Sequence, residues 1–320
     1  MFRFLIFVFV LVLSAAASAA DPGYPSRPIR IITGSPGSTS DLSARFIAQK
    51  FTERWGQQAV VDNRPGAGGI IGVEIAAKSA PDGQTIVIGH VGTHASAPSL
   101  FKNLAYDPVK DFAPLSNVVN VGIVLVVHPS VPATTLKEFI AYTQSRPGVI
   151  NYGSPGGGTS GNLTGELVNL ATKAKMQHIP YKGAAFALTG VVAGETQASF
   201  LSTATAAVQI RAGKVRAIAV IRKTRFPGMP DVPSAAEAGY PDLEANAWFG
   251  LFAPAKTPKP IVTKLNQEIV RALELKETKD LLLKQGAEAA PTSPEEFGAY
   301  VKSEIVKWTR VVKESGAKPN

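Results

Sequence analysis

Short apolar runs alternate along this chain with stretches in which apolar residues recur every three or four positions. The runs at 29–33, 59–62, 85–89, 121–127, 149–153, 177–181, 197–201 and 215–221 predict strands. The intervening stretches at 42–55, 70–79, 136–144, 162–172, 184–193 and 203–212 predict helices. Strand-helix-strand units require crossovers, so the order predicts an α/β fold with mostly parallel sheets. Helix starts carry capping chemistry. Thr135 with Glu138 forms a capping box, and Ser293, Pro294 and Glu296 combine an N-cap, a proline in the first turn and the reciprocal carboxylate. After that start, Phe297, Tyr300, Val301, Ile305, Trp308, Val311 and Val312 fall on one helix face, which should dock on a sheet.

No Pro/Gly/Ser-rich linker separates the halves. If the chain passes between domains along strands, the crossings must be buried apolar runs, and 121–127 and the stretch after Val215 fit best. The predicted division is a first lobe from 21–123 with 223–320, and a second, inserted lobe from 124–222.

The first twenty residues change the setting. Arg3, an apolar run over 4–13 and small residues over 14–20 follow the order of a cleavable signal peptide, with cleavage expected near Ala19 or Ala20. The run is shorter than the ~20 residues a spanning helix needs. No cysteine stands there or anywhere in the 320 residues, which excludes disulfides and thiolate metal sites. A soluble exported product, expected to be a monomer, follows. Removing Arg3 lowers the formal charge from +9 to +8. The basic residues are dispersed instead of forming the stripe a nucleic acid demands, so they read as a solvated surface that mildly favours anions.

Candidate chemistry lies in the loops. Ser35-Pro36-Gly37-Ser38-Thr39-Ser40 and Ser154-Pro155-Gly156-Gly157-Gly158-Thr159-Ser160 each follow a strand and open a helix, and Asn63-Arg64-Pro65-Gly66-Ala67-Gly68-Gly69 occupies a third such junction. Glycine permits close approach of a ligand to the backbone, and a helix start favours an anion. Any one of these loops alone reads as an ordinary tight turn.

Other chemistries fail on spacing. No Gly-Lys-Ser or Gly-Lys-Thr supplies a Walker loop. Gly156, Gly158 and Gly161 satisfy G-x-G-x-x-G, but the strand that follows ends without an acidic residue for a ribose. No G-x-S-x-G elbow occurs. His90 and His94 have metal-pair spacing, yet Gly92 lies between them and no Glu follows His90. His128 and His178 read as hydrogen-bonded structural residues. No catalytic residue, metal or cofactor is expected.

The chain resembles the Bug family, the periplasmic receptors of tripartite tricarboxylate transporters, over nearly its whole mature length. The motifs are Tyr24-Pro25-Ser26-Arg27-Pro28-Ile29-Arg30, the Asn63–Gly69 segment, Pro81-Asp82-Gly83, Tyr106-Asp107-Pro108 with Asp111-Phe112, Ile179-Pro180-Tyr181-Lys182-Gly183, and Ala236-Glu237-Ala238-Gly239-Tyr240-Pro241 with Trp248. The resemblance implies a two-lobed Venus-flytrap architecture, type II-like, with strands crossing between lobes. It also implies a small carboxylate in the cleft and delivery to membrane permease subunits. The ligand residues it implies are Ser38, Thr39, Ser40 and Asp41 from one lobe and Ser154, Gly157, Thr159 and Ser160 from the other. Gly66, Ala67, Gly68, Thr93, Trp248, Tyr181, Lys182 and Gly183 complete the set. Departures from the family pattern fall at Gly34, Ser38, Asn162 and Leu201, and they leave the particular ligand open. A ligand sensor for a signalling partner remains an alternative, as does a secreted enzyme on the same scaffold.

Overall fold

The computed structural model describes residues 23–319, so the leader and its cleavage site lie outside the described residues. Ten strands form one sheet: β1 (Ile29–Thr33), β2 (Ala59–Asn63), β3 (Thr85–His90), β4 (Phe112–Val127), β5 (Asn151–Ser154), β6 (Gln177–Pro180), β7 (Ala198–Ser202), β8 (Arg216–Val220), β9 (Asn246–Pro254) and β10 (Glu288–Ala289). The strand order is β2-β1-β3-β9-β4-β7-β5-β6, with β8 and β10 also paired to β4. The helices that position the candidate loops are α1 (Thr39–Trp55), α2 (Ile70–Ala77), α3 (Ala97–Leu100), α4 (Leu136–Gln144), α5 (Ser160–Thr172), α6 (Ala184–Val192) and α7 (Thr203–Arg211). Three more, α8 (Lys259–Glu274), α9 (Lys276–Lys284) and α10 (Pro294–Ser315), close the chain.

Parallel pairing holds at the flanks, where β1 joins β2 and β3, and β5 joins β6 and β7. It fails at the centre, which corrects the expectation of mostly parallel sheets. The 16-residue β4 runs antiparallel to β9 and β10 in its first part and to β7 and β8 in its last. A strand shared by both flanks meets chain returning past it, so its neighbours run the other way. The return is direct: the Ile221 amide donates to Ile123 O, the Ala245 amide to Ile221 O, and β9 then begins opposite Gly122.

Strand β4 starts at Phe112, well before the apolar run at 121, because Pro114, Ser116, Asn117 and Asn120 interrupt the pattern. Those polar groups are satisfied locally: Asn117 Nδ2 donates to Asn120 Oδ1 at 2.8 Å, and the Asn117 amide to Thr292 Oγ1 at 3.0 Å.

Helix α10 has the face its periodicity predicts, with Phe297, Val301, Trp308, Val311 and Val312 buried. Its capping box is formed, and Gly316 ends it in a left-handed conformation. Glu304, also buried, accepts the indole N–H of Trp248 at 3.0 Å and of Trp308 at 2.9 Å, with Lys307 as its ion-pair partner. These bonds tie α10 to β9, and a buried carboxylate persists only when so satisfied. Truncating Trp308 to alanine would cost about 3–5 kcal/mol on volume grounds alone.

Candidate functional site

Strand β1 delivers the chain to α1 through a turn that fixes itself. Ser38 is the N-cap: its Oγ accepts the Asp41 amide at 3.3 Å and donates to Ser35 O at 2.7 Å. Ser40 Oγ lies 2.8 Å from the same hydroxyl. Gly37 takes φ 73°, a left-handed conformation that glycine adopts without strain, and donates its amide to the Asp41 carboxylate at 2.8 Å. That carboxylate also receives Asn63 Nδ2 at 2.8 Å and Arg45 Nε at 3.0 Å, while Asn63 Nδ2 reaches Gly34 O at 3.0 Å. Burial alone would raise the Asp41 carboxyl, but the bonds from Arg45, Asn63 and Gly37 outweigh it and hold it below the usual carboxylate range. Asp41 therefore holds the shape of the loop.

The β5–α5 turn repeats this construction. Thr159 is the N-cap, accepting the Asn162 amide at 3.5 Å and donating to Gly156 O at 2.7 Å. Gly158 takes φ 75° and donates its amide to Asn162 Oδ1 at 2.9 Å. Ser154 is fully buried and belongs to the turn's interior. Its Oγ donates to Gly156 O at 3.1 Å, accepts the Gly156 amide at 3.2 Å and lies 2.6 Å from His178 Nε2. Burial lowers the His178 imidazole to about 4.

In each turn the N-cap hydroxyl already gives its proton to a carbonyl. The next residue differs: the hydroxyls of Thr39 and Ser160, at equivalent first positions of α1 and α5, are half-buried and have no partner among the described residues. The amides of that first turn are also unpaired within a helix, as at any helix start. Neither 35–40 nor 154–160 contains Arg or Lys. Each turn thus offers neutral donors at a helix start, an arrangement suited to an anionic oxygen; the positive end of α5 carries no acidic residue, and that of α1 is offset by Asp41, itself paired with Arg45.

The third loop is exposed at Gly66, Ala67 and Gly68 and packs on the turn after β3. A Cβ at Gly69 would meet His90 Nε2 at 3.3 Å and Thr93 Cγ2 at 3.4 Å. Thr93 lies inside a π-helical turn, Val91–Ser96, fully buried, with its hydroxyl committed to His90 O at 3.2 Å and His94 Nδ1 at 3.0 Å. The last residue of that turn reaches the second loop, Ser96 Oγ donating to Gly158 O at 3.4 Å, and a Cβ at Gly158 would stand 2.5 Å from Leu100 Cδ1. Tyr181 and Gly183 run beside the same loop, their amides donating to Ser154 O and Pro155 O. Tyr181 turns its ring away, onto Gly190 and toward Glu195 Oε2 at 3.1 Å, and Lys182 is exposed.

The structure therefore joins Thr93, Gly66–Gly68, the 154–160 turn and the 181–183 backbone into one neighbourhood. It does not join Trp248, whose indole is buried against Phe297, Tyr300 and Glu304; the side chain is core, because a strand residue pointing at α10 cannot also face a loop. Sequence reasoning missed the residues behind the turns, namely Arg45, Asn63 as a bridge, Tyr152, Glu166 and His178. The signal was present in part: Arg45 and Glu166 each stand four residues after the loop holder, one helical turn on. A further hydroxyl-capped start, Ser202 with Thr205 at 2.7 Å on α7, was also passed over.

An α/β sheet crossed by one long strand, with hydroxyl-capped helix starts at strand ends on both flanks, is the architecture of a solute-binding protein. The chain belongs to the tripartite tricarboxylate transporter receptor family, whose pattern it matches over residues 43–317. It is 35% identical to protein BugT of Bordetella pertussis over 317 residues, covering 97% of this chain and 96% of that one. Among solved structures it is similar to R. palustris Rpa4515 with adipate, at TM-score 0.83 and 34% identity over 93% of this chain and 100% of that one. MatC (Rpa3494) from Rhodopseudomonas palustris, with bound malate, gives TM-score 0.78 at 34% identity, covering 90% and 100%. The periplasmic binding protein BugD gives 0.78 at 32%, covering 93% and 100%.

Proposed function

We propose that this protein captures a small carboxylate in the periplasm, between a lobe of 21–123 with 223–320 and a lobe of 124–222, and hands it to the membrane subunits of a tripartite transporter. The observation that carries this reading is the pair of matching turns, each with an unpartnered hydroxyl at the first position of a helix and no Arg or Lys within the turn itself, Arg45 beside the first turn being paired with Asp41. Adipate and malate in the similar structures are carboxylates, which is the chemistry such turns accept. The reading is of a binding protein and not of an enzyme. No helix among the described residues is long and apolar enough to cross a membrane.

Titration of the purified mature protein with adipate, malate and aromatic monocarboxylates, by calorimetry and thermal shift, tests the reading. A ligand at a hundred times its dissociation constant stabilises the native state by about 2.7 kcal/mol, a shift of a few degrees at this size. Binding with no turnover supports the proposal. Chemical conversion of the bound acid by metal-free protein, or no response to any carboxylate, overturns it.

A further inference from the structure

Behind the β5–α5 turn a line of hydrogen bonds runs into the second flank, and every donor in it points the same way. The Gly158 amide donates to Asn162 Oδ1 at 2.9 Å, Asn162 Nδ2 donates to Tyr152 Oη at 3.1 Å, and Tyr152 Oη lies 2.6 Å from Glu166 Oε1. The phenol has one proton. Its alternatives are Glu166 at 2.6 Å and Asn162 O at 3.2 Å, and the shorter contact, to a carboxylate, takes it. A phenol that donates to Glu166 is left with its lone pairs toward Asn162, which can then approach only with its NH₂. That fixes the Asn162 amide with Oδ1 toward the loop, where it holds Gly158 in its left-handed conformation.

Packing prevents escape from this arrangement. Tyr152 is fully buried, its ring set against Phe200 and His178, and a Cβ at Gly165 would collide with it at 2.3 Å. Gly165 is glycine because the Tyr152 ring fills the space a side chain would need. The first turn achieves the same end with opposite charge. There the holder is itself the anion, Asp41, and its i+4 neighbour is a cation, Arg45. In the second turn the holder is neutral and its i+4 neighbour, Glu166, supplies the anion through Tyr152.

We propose that Tyr152 and Glu166 are positioning residues for ligand capture: they set the Gly156–Thr159 turn, and through it the donors at the start of α5, without touching the ligand. The proposal rests on the functional reading above. A purely packing role for Tyr152 would need only the ring, which Tyr152→Phe keeps.

The test uses the full mature protein and four variants. Tyr152→Phe keeps the ring and deletes the phenol oxygen. Glu166→Ala deletes the acceptor, and Glu166→Gln restores one in the same place. Val168→Ala, buried in the same helix with no polar group in its side chain, controls for destabilisation. Hydrogen exchange over 154–163 is measured first, without ligand. Faster exchange in Tyr152→Phe and Glu166→Ala, with wild-type behaviour in Glu166→Gln and Val168→Ala, is expected. Affinity for adipate and malate should then fall about tenfold in the first two variants and recover in Glu166→Gln, the weight of one hydrogen bond. Unchanged exchange overturns the coupling. Accelerated exchange with wild-type affinity overturns the positioning role. A wild-type protein that binds no carboxylate overturns the functional reading instead, and the exchange data separate that outcome from the other two.

Discussion

Asp41 and Asn162 stand at the same step of two helix starts, each accepting the amide of the glycine four residues before it, Gly37 at 2.8 Å and Gly158 at 2.9 Å. Both glycines are left-handed, at φ 73° and 75°. The N-cap hydroxyls three residues before the holders, Ser38 and Thr159, bond the same two groups in each turn. Two turns with little identity in their residues thus share one hydrogen-bond plan, and the difference between them is electrical. A carboxylate in the first turn of α1 offsets that helix's positive end, whereas α5 has no acidic residue there.

Removing the charged holder should cost both shape and stability. Asp41→Ala strips the acceptor from the Gly37 amide and Asn63 Nδ2 in a site 2% exposed, and a loss of about 1–3 kcal/mol is expected in denaturant unfolding. Because the folded carboxyl lies below its ordinary value, its contribution is complete above about pH 4 and disappears as pH falls further. The difference between wild type and Asp41→Ala should therefore shrink on acidification below that value. An Asp41→Ala protein as stable as wild type at pH 7 would remove Asp41 from its role as holder.

Gly34 should act as a size filter. A Cβ placed there meets Ser40 Oγ at 3.6 Å and nothing nearer, so the backbone leaves room beside the first turn. Gly34→Phe is expected to fold with nearly the wild-type melting temperature and to lose affinity for long or aromatic acids more than for short diacids. Equal losses across the series, measured by calorimetry, would show that the space is not used by the ligand.

Much of this arrangement was legible in the sequence where a local rule governs it. Thr135 and Ser293 start helices because their capping boxes need only neighbours in sequence, and both boxes are formed. The turns at 35–40 and 154–160 could be placed for the same reason. Long-range partners could not. Strand β9 was unassigned although it lies at the centre of the sheet, and the polar residues that hide the first half of β4 make sense only beside Thr292 and β9. The resemblance implies Trp248 as a ligand residue, and only the fold places Glu304 against its indole. The resemblance implies Thr93 and Ser154 as ligand residues, yet both hydroxyls are buried and bonded within their own turns.

Mild acid should destabilise the protein through the buried His94 and the part-buried His90 and His178. Burial lowers His90 and His178 to about 4, and burial together with His90 lowers His94 to about 3. Between those values and the ordinary imidazole value of about 6.5 the unfolded chain binds more protons than the folded one, so stability falls as pH drops through that window. Glu166 works against this, since burial raises its carboxyl, but it is one group against three. Unfolding free energy measured from pH 7 to 4.5 should decline steadily, and His178→Gln, which keeps a partner for Ser154, should flatten the slope. A flat wild-type profile would show these imidazoles charging freely in the native state.

The two threonines of the matching turns should separate binding from stability. Thr159 is an N-cap whose proton goes to Gly156 O, so Thr159→Val removes a cap and should destabilise α5 by about 1 kcal/mol. Thr39 caps nothing and its hydroxyl has no partner among the described residues, so Thr39→Val should leave unfolding unchanged and weaken carboxylate binding by about 1.5–3 kcal/mol, one charged hydrogen bond. Ser160→Ala, at the equivalent position of α5, should behave like Thr39→Val. Micromolar affinity needs only about −8 kcal/mol, which a handful of such donors and two helix starts supply without a cation. Lys182 is exposed at the edge of the neighbourhood, and Lys182→Met should bind nearly as wild type with a weaker dependence on salt. Calorimetry on the four variants at two ionic strengths decides between the models: if Lys182→Met abolishes binding while Thr39→Val and Ser160→Ala retain it, a cation clamps the carboxylate and the neutral-donor account is wrong.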